Sequence, residues 1–169
     1  MNKIGKMLAL AVLILIAATT SEAQKPKVVR NKKGGYSIRV PGNWTVGTTD
    51  ESTYITSDHG QIMISVSPMY SPTKACEQLT AIEALYEGKR VNQIPEAERA
   101  SNANIQKAVG VKDGCHARYQ VSDEYGSQNI EFAVFTKGKK IYQIEVKHPT
   151  DNPEASKQLI EAMRTFTLK

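Results

Sequence analysis

From Lys27 to Val40 apolar and polar residues alternate with a period of two, interrupted by Lys32-Lys33-Gly34-Gly35. This predicts a hairpin: a strand over KVVRN, a turn, and a second strand over Tyr36-Ser37-Ile38-Arg39-Val40 that Pro41 and Gly42 end. Trp44 follows the break as a plug for the core. A short strand at Tyr54 to Thr56, a turn at Asp58-His59-Gly60 and a stronger strand from Gln61 to Ser67, with Ile62, Ile64 and Val66 on one face, form a second hairpin. The period then changes. Ser71-Pro72 reads as N-cap and N1, and Ala75 or Cys76, Leu79, Ile82, Leu85 and Tyr86 recur at helical spacing up to Gly88. Residues 89 to 104 show no period and read as a surface connection with one helical turn at most.

The second half returns to alternation. Ile105 to Val111 reads as a strand; Cys115 to Val121 sets Cys115, Ala117, Tyr119 and Val121 against His116, Arg118 and Gln120. After Tyr125-Gly126-Ser127, Asn129 to Thr136 places Ile130, Phe132 and Val134 together, and after Lys137-Gly138-Lys139, Lys140 to Lys147 turns Tyr142, Ile144 and Val146 inward. Connections this short exclude crossover helices, so the three strands form an antiparallel meander. Asn152-Pro153 opens a last helix with Leu159, Ile160, Met163 and Phe166 on its stripe. The pattern predicts an α+β fold: an antiparallel sheet of about six strands flanked by helices, an α/β/α sandwich, in a single domain over residues 24–169.

The first 23 residues stand apart. Lys3 and Lys6 precede an apolar run from Met7 to Ala18, and Ser21-Glu22-Ala23 follows with small residues at signal-peptidase spacing. The run is shorter than the roughly 20 residues that cross a bilayer, so it reads as a secretory signal peptide cleaved after Ala23. No cysteine near that position offers a lipid attachment site, and the mature chain is expected to be periplasmic or secreted, without a stable membrane span. With 22 Lys and Arg against 17 Asp and Glu the net charge is +5. That is modest, and export argues against a nucleic-acid partner. The basic residues nevertheless gather at Lys25, Lys27, Arg30, Lys32 and Lys33 and again at Lys137, Lys139 and Lys140. Such clusters suit anionic lipid, a polyanionic glycan or an acidic partner, or simply solvate a frayed terminus and a hairpin tip. Two cysteines, Cys76 and Cys115, in an oxidising compartment are read as a disulfide. Closing a loop of roughly forty residues would stabilise the fold by about 3 to 4 kcal/mol.

Catalytic patterns are not found. The three histidines, His59, His116 and His148, lack HxxxH or HExxH spacing, which leaves Asp58-His59 and His148 with Asp151 as adventitious metal pairs. There is no GxSxG and no phosphate-cradling glycine loop, and His116 points to the sheet face opposite its neighbour Cys115. Glu83 and Glu87 read as a solvated helical pair, and Glu131 and Glu145 as an outer-face ladder with Arg118 and Lys147. Met63, Met69 and Tyr70 flank the inward strand and could line an apolar groove, with packing in the core the favoured use. No catalytic, cofactor or metal residue is assigned.

The order of elements, the segment Tyr36-Ser37-Ile38-Arg39-Val40-Pro41-Gly42-Asn43-Trp44, the stretch from Phe135 to Ile144 and the final Leu159 to Phe166 resemble the PsbP-like (Mog-type) superfamily. The resemblance covers nearly all of the chain after residue 23. It implies a central antiparallel sheet and supporting roles, such as photosystem assembly, nuclear-transport regulation and bacterial envelope or secretion functions, and it carries no binding residues across. The expectation is an exported, non-catalytic accessory or binding protein of the bacterial envelope, with a protein or envelope component as partner. The alternatives are a small-ligand carrier or enzyme using a loop-lined pocket between Pro41–Thr56 and Ala84–Asn104, and a purely structural envelope protein.

Overall fold

A computed structural model describes residues 25–58, 60–71, 74–83, 90–93, 102–123, 126–150 and 152–169. The leading apolar run, the expected cleavage position at Ala23, His59, Glu87 and Asp151 lie outside the described residues.

The first hairpin pairs β1 (Lys27–Asn31) with β2 (Tyr36–Val40), and the chain's last strand, β10 (Thr167–Leu168), joins the other edge of β2. Alternation buries Val29, Tyr36, Ile38 and Val40 on one side of this three-stranded sheet. The second sheet has seven strands. In chain order they are β3 (Thr45–Thr48), β4 (Ser52–Ser57), β5 (Gly60–Pro68), β6 (Arg90–Gln93), β7 (Asp113–Asp123), β8 (Gly126–Lys137) and β9 (Lys140–Pro149). In space the order is β3-β4-β5-β9-β8-β7-β6, every pair antiparallel. The expected α+β antiparallel sandwich is therefore present, with β7, β8 and β9 as its meander.

Register decides which residues share a face. Ile62 opposes Val146, Ile64 opposes Ile144 and Val66 opposes Tyr142, while Ala133 and Phe135 continue these rows on β8. Over this face lie the small sheet and the C-terminal helix α3 (Pro153–Arg164), which contributes Leu159 and Ala162. Phe166, just beyond the helix, sits 5.5 Å from Phe135 and 5.4 Å from Tyr36 between ring centroids, and Phe135 stacks on Tyr142 at 5.7 Å. The opposite face carries Cys115, Ala117, Tyr119, Val121, Ile130, Phe132 and Val134 beneath Ala75 and Leu79 of helix α1 (Ala75–Glu83). Both sides of β8 are thus covered, which is why Ile130 to Phe135 is buried without a break. The Cys76–Cys115 disulfide ties α1 to β7, with a Cα–Cα distance of 5.0 Å.

The region before β7 departs from the sequence expectation. Asn102–Val109 is a helix, α2, where Ile105 to Val111 reads as a strand, and β6 lies within the segment expected to be irregular. Gly110 takes φ +72°, and its N–H and that of Val111 both donate to Gln106 O at 2.9 and 3.0 Å, a glycine-terminated helix end. The helix is held where it finishes a sheet edge. β6 pairs only with Tyr119 to Ser122 of β7; beyond it His116 N–H donates to Asn102 Oδ1 (2.8 Å) and Gln106 Nε2 donates to Gly114 O (3.0 Å). Helix α1 is held at its start by Lys74 N–H donating to Glu77 Oε2 (3.1 Å), half of a capping box, and by Ala75 N–H donating to Asp113 Oδ2 (2.9 Å).

Candidate functional site

One member of the first basic cluster, Lys33, meets the second cluster, about a hundred residues away in sequence, at one end of the molecule. Lys33 at the β1–β2 turn and Lys137, Lys139 and Lys140 around the β8–β9 turn line one groove of about 560 Å³, floored by Val66, Ser67 and Pro68 at the end of β5. Their meeting follows from the strand register. Pro68 pairs with Lys140 and Lys137 with Lys140, which sets the β8–β9 turn beside the end of β5, and Met69 N–H donates to Lys139 O at 2.8 Å.

The β1–β2 turn is fixed from below. Asn31, buried at 4 % exposure, accepts from Gly34 N–H on Oδ1 (2.7 Å) and donates through Nδ2 to Thr49 O (3.0 Å). The carbonyls of the turn are taken in sequence: Lys33 O by Lys140 Nζ (2.7 Å), Gly34 O by the Tyr142 hydroxyl (3.0 Å) and Gly35 O by Lys169 N–H (2.8 Å). A Cβ on Gly34 would sit 2.5 Å from the Tyr36 ring, and Gly35 has φ +76°, so this turn needs its glycine pair. Tyr36 O–H donates to Thr53 Oγ1 (2.8 Å). Burial raises the Tyr36 phenol against the opposing hydrogen bonds from Thr53 and Asn31, and burial raises Tyr142, so both hydroxyls stay protonated as donors. One lysine head, that of Lys140, thus belongs to the base; Lys137 Nζ reaches Lys169 O at 3.4 Å, and Lys33 and Lys139 are exposed. Lys33 pairs with the exposed Asp50, and Glu51 also lines the groove, which leaves an excess of positive charge. Tyr70, 94 % exposed, stands just beyond the groove rather than in the core.

Charge gathers a second time inside the molecule. Glu131, expected on an outer face, is 5 % exposed on the same sheet face as His116 and Arg118. Its Oε2 lies 3.5 Å from His116 Nε2 and its Oε1 3.5 Å from Arg118 Nε, distances of charge contact rather than of well-formed hydrogen bonds. Burial by itself pushes the Glu131 carboxyl up; the contact with His116 and the charges of Arg118, His116 and His148 outweigh it and hold the group below its ordinary value. Glu145 does not join this ladder. It opposes Phe132 on the other face, is equally buried and ion-pairs with Lys147. The expected shared outer face fails because helices cover the sheet on both sides.

His116 and His148 are each 2 % exposed, not solvated, and His148 Nδ1 donates to Pro149 O at 3.0 Å. No group of three His, Cys, Asp or Glu able to hold a metal occurs among the described residues. A second cavity, of about 330 Å³, has Asp58, Gly60, Gln61, Gln128, Lys147 and His148 in its wall; Asp58 is exposed. Of the loops considered for a ligand pocket, residues 84–89 and 94–101 lie outside the described residues.

Sequence reasoning found the lysines and the cysteine pair but missed Asn31 and Tyr142 as supports. Asn31 three residues before Gly34 was the available signal for a side-chain-capped turn. Tyr142 had none, because its partner is 108 positions away.

No protein-family model matches the sequence, and no curated protein matches it. Solved structures do. The cyanobacterial PsbP protein CyanoP from Synechocystis sp. PCC 6803 is 12 % identical, with a TM-score of 0.59 over 90 % of this chain and 96 % of that one. A crystal structure from Bacteroides thetaiotaomicron is 11 % identical, with a TM-score of 0.51 over 87 % of this chain and 49 % of that one. At such identities the likeness is one of architecture, and the architecture of this chain is PsbP-like.

Proposed function

We propose that this protein is an exported, non-catalytic accessory protein of the bacterial envelope that docks through its lysine-rich end onto an anionic component. The observation that carries the reading is the meeting of Lys33 with Lys137, Lys139 and Lys140 around one groove on a hydrogen-bonded base. Like charges held together repel, and a fold that fixes them at one end gains field for attracting an anion rather than stability. The disulfide supports export, since such a bond persists in an oxidising compartment. The leading residues, with their positive start, short apolar run and small residues before Gln24, support it independently.

The test is retention on an immobilised polyanion. The wild type is expected to bind and to elute with rising salt, as screened charge contacts do. Lys137→Gln/Lys139→Gln/Lys140→Gln is expected to elute much earlier, and Lys107→Gln/Lys157→Gln, which removes the same kind of charge elsewhere, to elute close to the wild type. Equal retention of all three proteins would overturn the reading. For export, the mass of the protein recovered outside the cytoplasm should begin at Gln24; a mass that includes Met1 would contradict cleavage after Ala23.

A further inference from the structure

We infer that the anionic component is a phospholipid surface, with the groove lysines on headgroup phosphates and Tyr70 entering the interfacial layer. This rests on the docking reading above and goes further by choosing among lipid, glycan and acidic protein.

Three observations favour lipid. First, every cation lining the groove is a lysine. Arginine, whose planar fork grips a carboxylate through two parallel hydrogen bonds, is the residue enriched in protein interfaces, where lysine is depleted. A lysine is a mobile point charge suited to a layer of phosphates whose positions are not fixed. Secondly, Tyr70 is 94 % exposed, the most exposed of the large hydrophobic residues described, and it follows Pro68 in the groove wall. Met69 N–H donates to Lys139 O, so the chain segment bearing Tyr70 is pinned beside the lysine turn. An aromatic ring with a polar tip beside lysines is the combination found at membrane–water boundaries. Thirdly, Lys32, Lys33, Lys137, Lys139 and Lys169 are all exposed. Lys32 and Lys33 are at one turn, Lys137 and Lys139 at another, and Lys169 is bonded to Gly35 through its backbone. No helix among the described residues is long and apolar enough to cross a membrane, so the contact inferred is peripheral.

The experiment is co-sedimentation of the full chain, in the form the cell produces, with vesicles of phosphatidylglycerol mixed with phosphatidylcholine and with vesicles of phosphatidylcholine alone. Wild type and variants carry the same N-terminus, so anything it contributes is common to all. Binding to the anionic vesicles that falls as salt rises is expected. Lys137→Gln/Lys139→Gln/Lys140→Gln should weaken it by on the order of 100-fold, about fivefold for each charge removed, and Tyr70→Ser should weaken it severalfold with its salt dependence kept. Far-ultraviolet circular dichroism and thermal melting confirm that the variants fold. Equal binding to the two vesicle types, or a lysine variant that binds like the wild type, overturns the inference. If the wild type ignores the anionic vesicles but is held by a sulfated polysaccharide or by polyglutamate through the same lysines, the lipid inference falls and the docking reading stands. If none of these holds it, both fall.

Discussion

The protein gathers charge in two places and treats it in opposite ways. Inside, Glu131 is buried with His116 and Arg118 against it, and these contacts hold its carboxyl in the ionised form. At the turn end, Lys33, Lys137, Lys139 and Lys140 share a groove whose carboxylates, Asp50 and Glu51, do not balance them. A buried charge that lost its partner would be expensive, so the first arrangement belongs to the fold. Surface lysines contribute little to stability in either direction, so the second arrangement is free to serve the docking proposed above. The two regions should therefore come apart under mutation: one changes stability without binding, the other binding without stability.

The largest stability effect is expected from the covalent tie beside the buried cluster. Replacing Cys76 and Cys115 by Ala opens a loop spanning 39 positions and should cost about 3 kcal/mol, read as a lower urea midpoint. The folded fraction should still bind a polyanion as the wild type does, because the lysine turns are tied to β5 and β9 rather than to α1. Glu131→Gln comes next, at roughly 2 to 3 kcal/mol, somewhat below the cost of orphaning a fully buried ion since Arg118 retains some access to water. Its polyanion affinity should be unchanged; a loss would mean that the two regions are coupled.

Acid sharpens the same contrast. The Glu131 carboxyl is held below its ordinary value of 4.5, so the stability it contributes is complete above that value and is lost as pH falls through the lower, folded one. The advantage of wild type over Glu131→Gln in urea unfolding should thus shrink as pH falls below about 4.5. An advantage that survived undiminished to about pH 2 would place its origin elsewhere. Smallest is the effect of Lys139→Gln on stability, within about 0.5 kcal/mol, alongside a clear drop in binding.

How much of this was legible in the sequence depended on whether the governing contacts were local. Asn152-Pro153 marked α3, which begins at Pro153, and the alternation around Cys115, Ile130 and Tyr142 gave the meander because each strand carries its own pattern. Asn102–Val109 was misread because Ile105 and Val109 suit either period in so short a run, and the choice is settled by Asn102 and Gln106 bonding to the free edge of β7. β6, Arg-Val-Asn-Gln, offered no alternation to see. Glu131 and Glu145 were assigned to solvent because they are charged, whereas a sheet covered on both faces leaves its central strands no outer side. The lysine clusters were visible as composition; their union was not, since it depends on how β9 pairs with β5 and on the Tyr142 hydroxyl reaching Gly34 O.

The most direct measurement is a map of backbone amide chemical shifts as a soluble polyanion is titrated into the isotopically labelled protein. The expected changes move together at the turn 32–35, at Ser67 to Tyr70 and at 137–140, at one common affinity, with Glu131 and its neighbours silent. Shifts confined to one of the two turns, or centred on the cavity beside His148, would show that the lysines brought together by the fold do not act as one site.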